Sequence, residues 1–211
     1  MSFLVRLGFA PAVALLVAML MIPGETISAG QQQPGGLMLP LRLTAWAVSM
    51  GTVGTGRNAV VDIRITRWTT PDERTKLLST VIEKDQNAML RALQKLPSHG
   101  RISVPGHTGP DPHQLVLGWT LHYAWNVPDG DGGQRIVLAT DRYMTFLETR
   151  NNPRTTDYPF TLLDLRLKKD GEGVGKASIA TKISFDKKKN IMELENYSSE
   201  PVRLQQVKIE K

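Results

Sequence analysis

Large apolar and more polar side chains alternate over much of the chain, which is the two-residue period of a β-strand with one buried face. The longest such stretch covers residues 113–127 and places a large apolar residue at every second position from Leu115 to Val127. Trp119 and Trp125, two of the four tryptophans, lie on this face. We therefore expect a central strand here, with all of its large side chains packed in one core.

Eight further segments carry the pattern of a strand, and short turns rich in glycine, aspartate or asparagine separate several of them. They are residues 41–50, 59–68, 101–104, 134–140, 160–168, 176–186, 191–197 and 202–209. In the last segment Val202 and Leu204 are out of phase with Val207 and Ile209, which predicts a β-bulge near Gln205 and Gln206. Short links between one-sided strands favour antiparallel pairing.

After the second predicted strand the apolar period changes to that of a helix. Thr70, Pro71 and Glu73 form the start of a capping box, in which Thr70 caps and Glu73 closes the box. A second helix is predicted to follow Asp85 and to stop before Pro97. The two apolar stripes predict a helical hairpin at residues 71–96 that packs on the sheet, with a mobile lid or a partner-binding groove as the functional alternative.

These elements predict an α+β fold, in which a curved antiparallel sheet or partly closed barrel of about nine strands carries the inserted helical hairpin. A β-sandwich with a helical insertion is the alternative. The whole of residues 40–211 is expected to form one β-rich domain, since a chain of this length and a hydrophobic content of 41% can supply a single core.

The N-terminal pattern is that of a secretory signal peptide over residues 1–30. Arg6 precedes an apolar run over residues 7–22, and Ser28, Ala29 and Gly30 supply the small residues that precede a cleavage site. Residues 31–39 are predicted to form a flexible lead-in to the domain. We expect export to the periplasm or the extracellular space, with no stable transmembrane segment after processing; the alternative is an uncleaved membrane anchor.

The chain of 211 residues contains no cysteine and has a formal net charge of +6. The lack of cysteine excludes disulfides, thiolate metal sites and cysteine nucleophiles. We expect the positive net charge either to keep the protein soluble or to attract it to anionic surfaces. Nucleic-acid binding is not expected, because the basic residues lie in turns and on strand faces rather than on one helix, and because export removes the protein from DNA.

Four residues are the candidates for ligand binding. His122 lies on the more polar face of the central strand and would act as a general base if a carboxylate faced it. Asp141, Arg142 and Tyr143 follow an apolar strand directly, where a charged pair forms either a structural ion pair or a ligand clamp. No residue is assigned a catalytic role, because no nucleophile, base and orienting group occur in a known arrangement.

No metal site and no cofactor are predicted. His107, Asp111 and His113 share one loop, but no helix or strand fixes their spacing. Asp129 and Asp131 lack the remaining ligands of a calcium loop. The glycine-rich segment 171–176 resembles a phosphate-binding motif, yet it lies between two strands and opens no helix.

Several short segments together resemble a group of uncharacterised exported bacterial proteins. They are residues 138–143, 151–154, 158–161, 171–173, 194–197 and 201–204. That group has no established activity, so the resemblance implies export and nothing catalytic.

The sequence therefore favours an exported, non-enzymatic domain that binds a small molecule or a partner in the cell envelope. One alternative is a hydrolase-like enzyme that assembles His122, Asp141 or Asp164 into a site. The other is peripheral attachment to an anionic membrane or polysaccharide through Lys182 and residues 187–189. The sequence predicts no particular ligand and no oligomeric state.

Overall fold

A computed structural model describes residues 36–48, 58–105, 117–142, 144, 159–186, 191–196 and 202–210. Its strands are β1 (Leu41–Val48), β2 (Asn58–Ile65), β3 (Gly100–Val104), β4 (Leu117–Asp129), β5 (Gly133–Thr140), β6 (Phe160–Leu167), β7 (Glu172–Asp186), β8 (Ile191–Asn196) and β9 (Val202–Glu210). Its helices are α1 (Pro71–Glu83) and α2 (Gln86–Gln94). Each of the nine predicted strands and both predicted helices are present, with shifts of a few residues at their ends.

Eight of these strands form a closed antiparallel barrel. β1 to β6 pair in chain order, β6 pairs with β7, and β9 lies between β7 and β1 and so completes the ring. β8 pairs with the second half of β7 and extends the sheet beyond the barrel. The expectation of an only partly closed barrel is therefore wrong, as is the sandwich alternative, because the β6–β7 and β1–β9 pairings join what would have been the free edges.

Apolar side chains fill the interior of the barrel. The fully buried ones include Leu43, Ile63, Ile102, Leu121, Ile136, Leu138, Leu163, Leu165 and Val207. An eight-stranded barrel is just wide enough for side chains to fill it. Ligand binding is therefore to be sought on the outside of this barrel.

The central strand, β4, does not keep one face in one core. Its pairing with β5 shifts between Leu121 and Tyr123, so His122 is an extra residue that reverses the phase of the strand. Leu121 faces the interior, whereas Tyr123 packs against the helices on the outer face. The prediction that all large side chains of this strand share one core is therefore wrong beyond Leu121.

The helical hairpin covers the outer face of the barrel beside β4, β6 and β7. Leu77, Val81 and Leu93 pack there against Phe160 and Ile183 in a second apolar cluster. The predicted capping box is present, since the Thr70 hydroxyl accepts from the Glu73 N–H and the Glu73 carboxylate accepts from the Thr70 N–H. The two apolar stripes are thus partnered by the barrel wall, as predicted.

The predicted bulge in the last strand is also present. The register of β9 against β1 shifts between the Thr44–Lys208 and Trp46–Gln205 pairs, and Gln206 has a φ of 49°. On the adjoining wall of the barrel, the outward side chains of β1, β2 and β3 form one continuous outer surface.

Candidate functional site

The structure brings together two of the four candidate residues, His122 and Asp141. Nε2 of His122 lies 3.8 Å from Oδ1 of Asp141, and Nδ1 of His122 lies 3.2 Å from the carbonyl oxygen of Leu96. One ring nitrogen therefore contacts the backbone and the other faces the carboxylate. Because Nδ1 contacts the backbone of Leu96 and only 14% of the side chain is exposed, His122 links the loop before β3 to the barrel and has little surface to offer a substrate.

Asp164, the third residue of the hydrolase alternative, lies elsewhere. Both of its carboxylate oxygens accept hydrogen bonds from Arg135, from Nε at 2.8 Å and from Nη2 at 2.9 Å. Arg135 is 2% exposed, so this is a buried structural ion pair between β5 and β6. His122, Asp141 and Asp164 do not form one site.

Arg142 is tied to the barrel wall. Its Nη2 donates to the carbonyl oxygen of Gly118 at 2.9 Å, and its own carbonyl oxygen accepts from the hydroxyls of Thr140 and Thr161. The fourth candidate, Tyr143, lies outside the described residues, as do His107, Asp111 and His113.

His99 forms a polar cluster that the sequence analysis missed, because it follows Pro97 in a loop without any periodic pattern. The ring is fully buried, with Nε2 at 3.7 Å from Glu73 and 3.5 Å from Arg67, while Nη2 of Arg67 donates to Glu73 at 2.7 Å. Burial lowers the pKa of His99, and the positive charge of Arg67 lowers it further. A buried neutral histidine of this kind anchors the junction of β2, α1 and β3 and has no access to a ligand.

The outer face of β1, β2 and β3 carries a different arrangement, which we call the arginine row. Arg42 is paired directly with Arg64 in the β1–β2 register, and Arg64 is paired with Arg101 in the β2–β3 register. All three side chains are exposed. Neighbouring strands lie about 4.8 Å apart, so the backbone positions of the three arginines lie side by side over about 10 Å.

One member of the row, Arg42, forms an ion pair with a carboxylate of the neighbouring strand. Arg42 donates from Nε to Oδ2 of Asp62 at 2.8 Å, and Nη2 contacts the same oxygen. Within the described ranges no carboxylate lies within ion-pair distance of Arg64, the central member of the row. Like charges placed directly opposite each other on neighbouring strands destabilise a sheet, so this arrangement is unfavourable for folding by itself.

A glycine on β4 makes room for the third member of the row. The guanidinium of Arg101 lies over Gly118, where a Cβ atom would stand 2.5 Å from Nη2. The guanidinium of Arg142 donates to the carbonyl oxygen of the same glycine. The positive surface therefore continues from the row across Gly118 toward β5.

Two exposed apolar side chains lie on the same outer face as the row. Trp46 is 39% exposed and Val60 is 41% exposed, and they are direct partners in the β1–β2 register. Trp46 is four residues from Arg42 along β1, which corresponds to about 13 Å. The face thus combines an apolar pair with a line of cations.

A second candidate is an open cleft of about 770 Å³ beside the turns that follow β4 and β6. Its lining mixes both charges, and two of its cations, Arg166 and Lys208, already contact Asp129 and Glu172. Acidic and basic side chains are therefore mixed in this cleft, whereas the three paired positions of the row are all arginines.

Other expectations can be compared only in part. Among the described residues, no group of three or more histidine or acidic side chains is placed to hold a metal ion. Of the four lysines in the membrane or polysaccharide alternative, Lys182 is half-buried on β7, and residues 187–189 lie outside the described ranges.

Neither helix in the described part of the chain has the length and apolar character needed to cross a membrane. Comparison of the chain with models of protein families, with curated proteins and with solved structures finds no match.

Proposed function

We propose that this chain is an exported, non-enzymatic domain of the cell envelope that binds an anionic partner through the arginine row. The observation that carries the proposal is the direct opposition of Arg42, Arg64 and Arg101 on three neighbouring strands. Such a row weakens the sheet. A feature that opposes stability is typical of a functional surface, because binding sites are commonly built at the expense of stability.

The chemistry of the guanidinium group selects the class of partner. Each arginine presents a planar fork of donors that matches a carboxylate, phosphate or sulfate group through two parallel hydrogen bonds. Among the described residues no carboxylate lies within ion-pair distance of Arg64, so its guanidinium can accept such a group. A partner with several anionic groups would neutralise the repulsion within the row as it binds.

Two further observations support a surface site without catalysis. The barrel interior is filled by apolar side chains, which leaves the outside for binding. His122 and Asp141 contact each other, but Asp164 is held by Arg135, so the residues of the hydrolase alternative are separated.

Export is part of the proposal and is supported by the sequence pattern of residues 1–30, which lie outside the described ranges. An intact-mass measurement on protein recovered from the periplasm or medium tests this part. We expect an N-terminus near Gln31, and retention of the full chain in the cytoplasm would contradict it.

Binding of a fluorescent polyphosphate, followed by anisotropy at low salt, tests the anionic-partner proposal. The test variant is R64Q/R101Q, and the matched control is R91Q/K95Q, which removes two exposed cations from α2 and its C-terminus. We expect the dissociation constant to rise at least tenfold for the test variant and to change less than twofold for the control. Equal affinities of the two variants would overturn the proposal.

A further inference from the structure

We propose that the anionic partner is an acidic polysaccharide, whose sugar ring packs on Trp46 while carboxylate groups of the same polymer bind the arginine row. This inference rests on the proposed function and assigns the chemical class of its ligand. The deciding feature is that the exposed aromatic side chain and the row share one outer face.

Trp46 is unusual for its position. The outward residues beside it on β1 are Thr44 and Val48, and a tryptophan on an exposed barrel wall leaves an indole surface in water at a cost in free energy. Its cross-strand partner, Val60, is exposed as well, so the pair forms a small apolar platform. Aromatic side chains with exposed faces are typical of binding surfaces, and an indole face matches the C–H face of a pyranose ring.

The spacing of the two features fits a polymer. The platform and the row are separated by about 13 Å along β1, which is longer than a single small anion and matches a short oligosaccharide. A chain that crosses the strands obliquely from β1 to β3 would place one sugar on Trp46 and carboxylates of later sugars at Arg64 and Arg101.

The groups between the platform and the row are suited to hydroxyls. Thr44, Asp62 and Ser103 lie side by side in the register of β1, β2 and β3. The Asp62 carboxylate is 15% exposed and accepts from Arg42. The Thr44 hydroxyl donates to Glu210 on β9, which is paired with Arg42 in the β1–β9 register, so the oxygens of this strip face a ligand as acceptors for sugar hydroxyls. A continuous anionic surface such as a lipid bilayer would bring negative charge against Asp62 and Glu210. The face therefore favours a hydroxyl-rich polymer with spaced anionic groups.

Binding to three probes distinguishes an acidic polysaccharide from a simple polyanion and from a lipid surface. The probes are polygalacturonate, which has sugar rings and carboxylates; polyphosphate, which has charge without rings; and vesicles that contain phosphatidylglycerol. The variants are W46A, the conservative W46F, and R64Q/R101Q. Circular dichroism confirms the fold of each. W46T, which has a strand-favouring side chain without an aromatic ring, takes the place of W46A if that variant unfolds.

We expect W46A to weaken polygalacturonate binding about tenfold, W46F to restore most of it, and neither variant to change polyphosphate binding by more than twofold. R64Q/R101Q should weaken binding to both polymers. If W46A, or W46T in its place, binds polygalacturonate like the unmodified protein, the sugar assignment is overturned. Tighter binding to vesicles than to polygalacturonate would also overturn it. In both cases the arginine dependence of polyphosphate binding still stands. If R64Q/R101Q binds both polymers normally, the proposed function fails instead.

Discussion

The guanidinium of Arg101 lies against Gly118 on the neighbouring strand, at a distance that leaves no space for a Cβ atom. The three atoms nearest to that Cβ position all belong to the Arg101 side chain, and none belongs to the backbone. The lack of a side chain at Gly118 therefore makes room for the Arg101 guanidinium. None of these nearest contacts involves backbone that would require a glycine there.

Replacing Gly118 with alanine tests whether this glycine positions Arg101 for binding without contributing to the stability of the barrel. In G118A the flexible end of the arginine must move aside, and the strand itself is not strained. We expect polyphosphate affinity to fall severalfold and the melting temperature to change by no more than a few degrees. Anisotropy titration and thermal unfolding measure the two effects; a large loss of stability with unchanged affinity would contradict this role.

Replacing Arg64, the central arginine of the row, should not lower the free energy of unfolding. R64Q eliminates two direct like-charge oppositions, with Arg42 and with Arg101. We expect the free energy of unfolding to stay the same or to rise by about 0.5 kcal/mol, with the gain disappearing at high salt. Urea unfolding at two salt concentrations checks this, and a clear destabilisation would show that Arg64 has a structural partner.

Acid should destabilise the junction around His99. Burial, and then the charge of Arg67, lowers the pKa of His99 in the folded protein. The unfolded chain therefore takes up the proton first, so the stabilisation is complete above the ordinary pKa of 6.5 and is lost as the pH falls below it.

Glu73 extends this loss to lower pH. Its burial raises the pKa, but hydrogen bonds from Thr70 and Arg67 outweigh that effect and hold the pKa below the usual 4.5. Its contribution is present above 4.5 and is lost as the pH falls from there through the lower pKa of the folded protein. In urea unfolding from pH 8 to pH 5 we expect stability to decrease for the unmodified protein and to decrease less for H99N; equal slopes would contradict the assignment to His99.

Two ion pairs with the same cross-strand arrangement should differ in strength. Arg42 contacts Asp62, and Arg135 contacts Asp164, each diagonally across one pair of antiparallel strands. Side-chain exposure is 61% for Arg42 but 2% for Arg135. We expect D164A to cost about 2 kcal/mol of unfolding free energy, since it removes a carboxylate from a buried cation, and D62A to cost about 0.5 kcal/mol. Equal losses in denaturant unfolding would show that burial does not govern these pairs.

The strands and helices could be predicted because their signals are local. Alternation of side chains, turn residues and the capping box at Thr70 all act within a few positions of the chain. The bulge at His122 could not be predicted in the same way. Tyr123 is buried under the helices on the outer face, so apolar residues continue at every second position although the strand has changed phase.

Closure of the barrel and the arginine row depend on long-range pairing. β1 and β9 are neighbours in the ring although most of the chain separates them. Arg42, Arg64 and Arg101 each look like an ordinary exposed strand residue in the sequence, and only the register of three strands places them side by side. Most of the glycine-rich segment 171–176 belongs to β7, and Gly173 allows close strand approach there, since a Cβ would lie 1.9 Å from the Arg166 carbonyl oxygen.

The salt dependence of polyphosphate binding tests the role of the arginine row most directly, because the slope of log K against log salt concentration counts the cations that contact the anion. If Arg64 and Arg101 both bind the polymer, the slope of R64Q/R101Q will be shallower than that of the R91Q/K95Q control by about 1 to 2. Identical slopes for the two variants would show that the anion binds elsewhere on the protein.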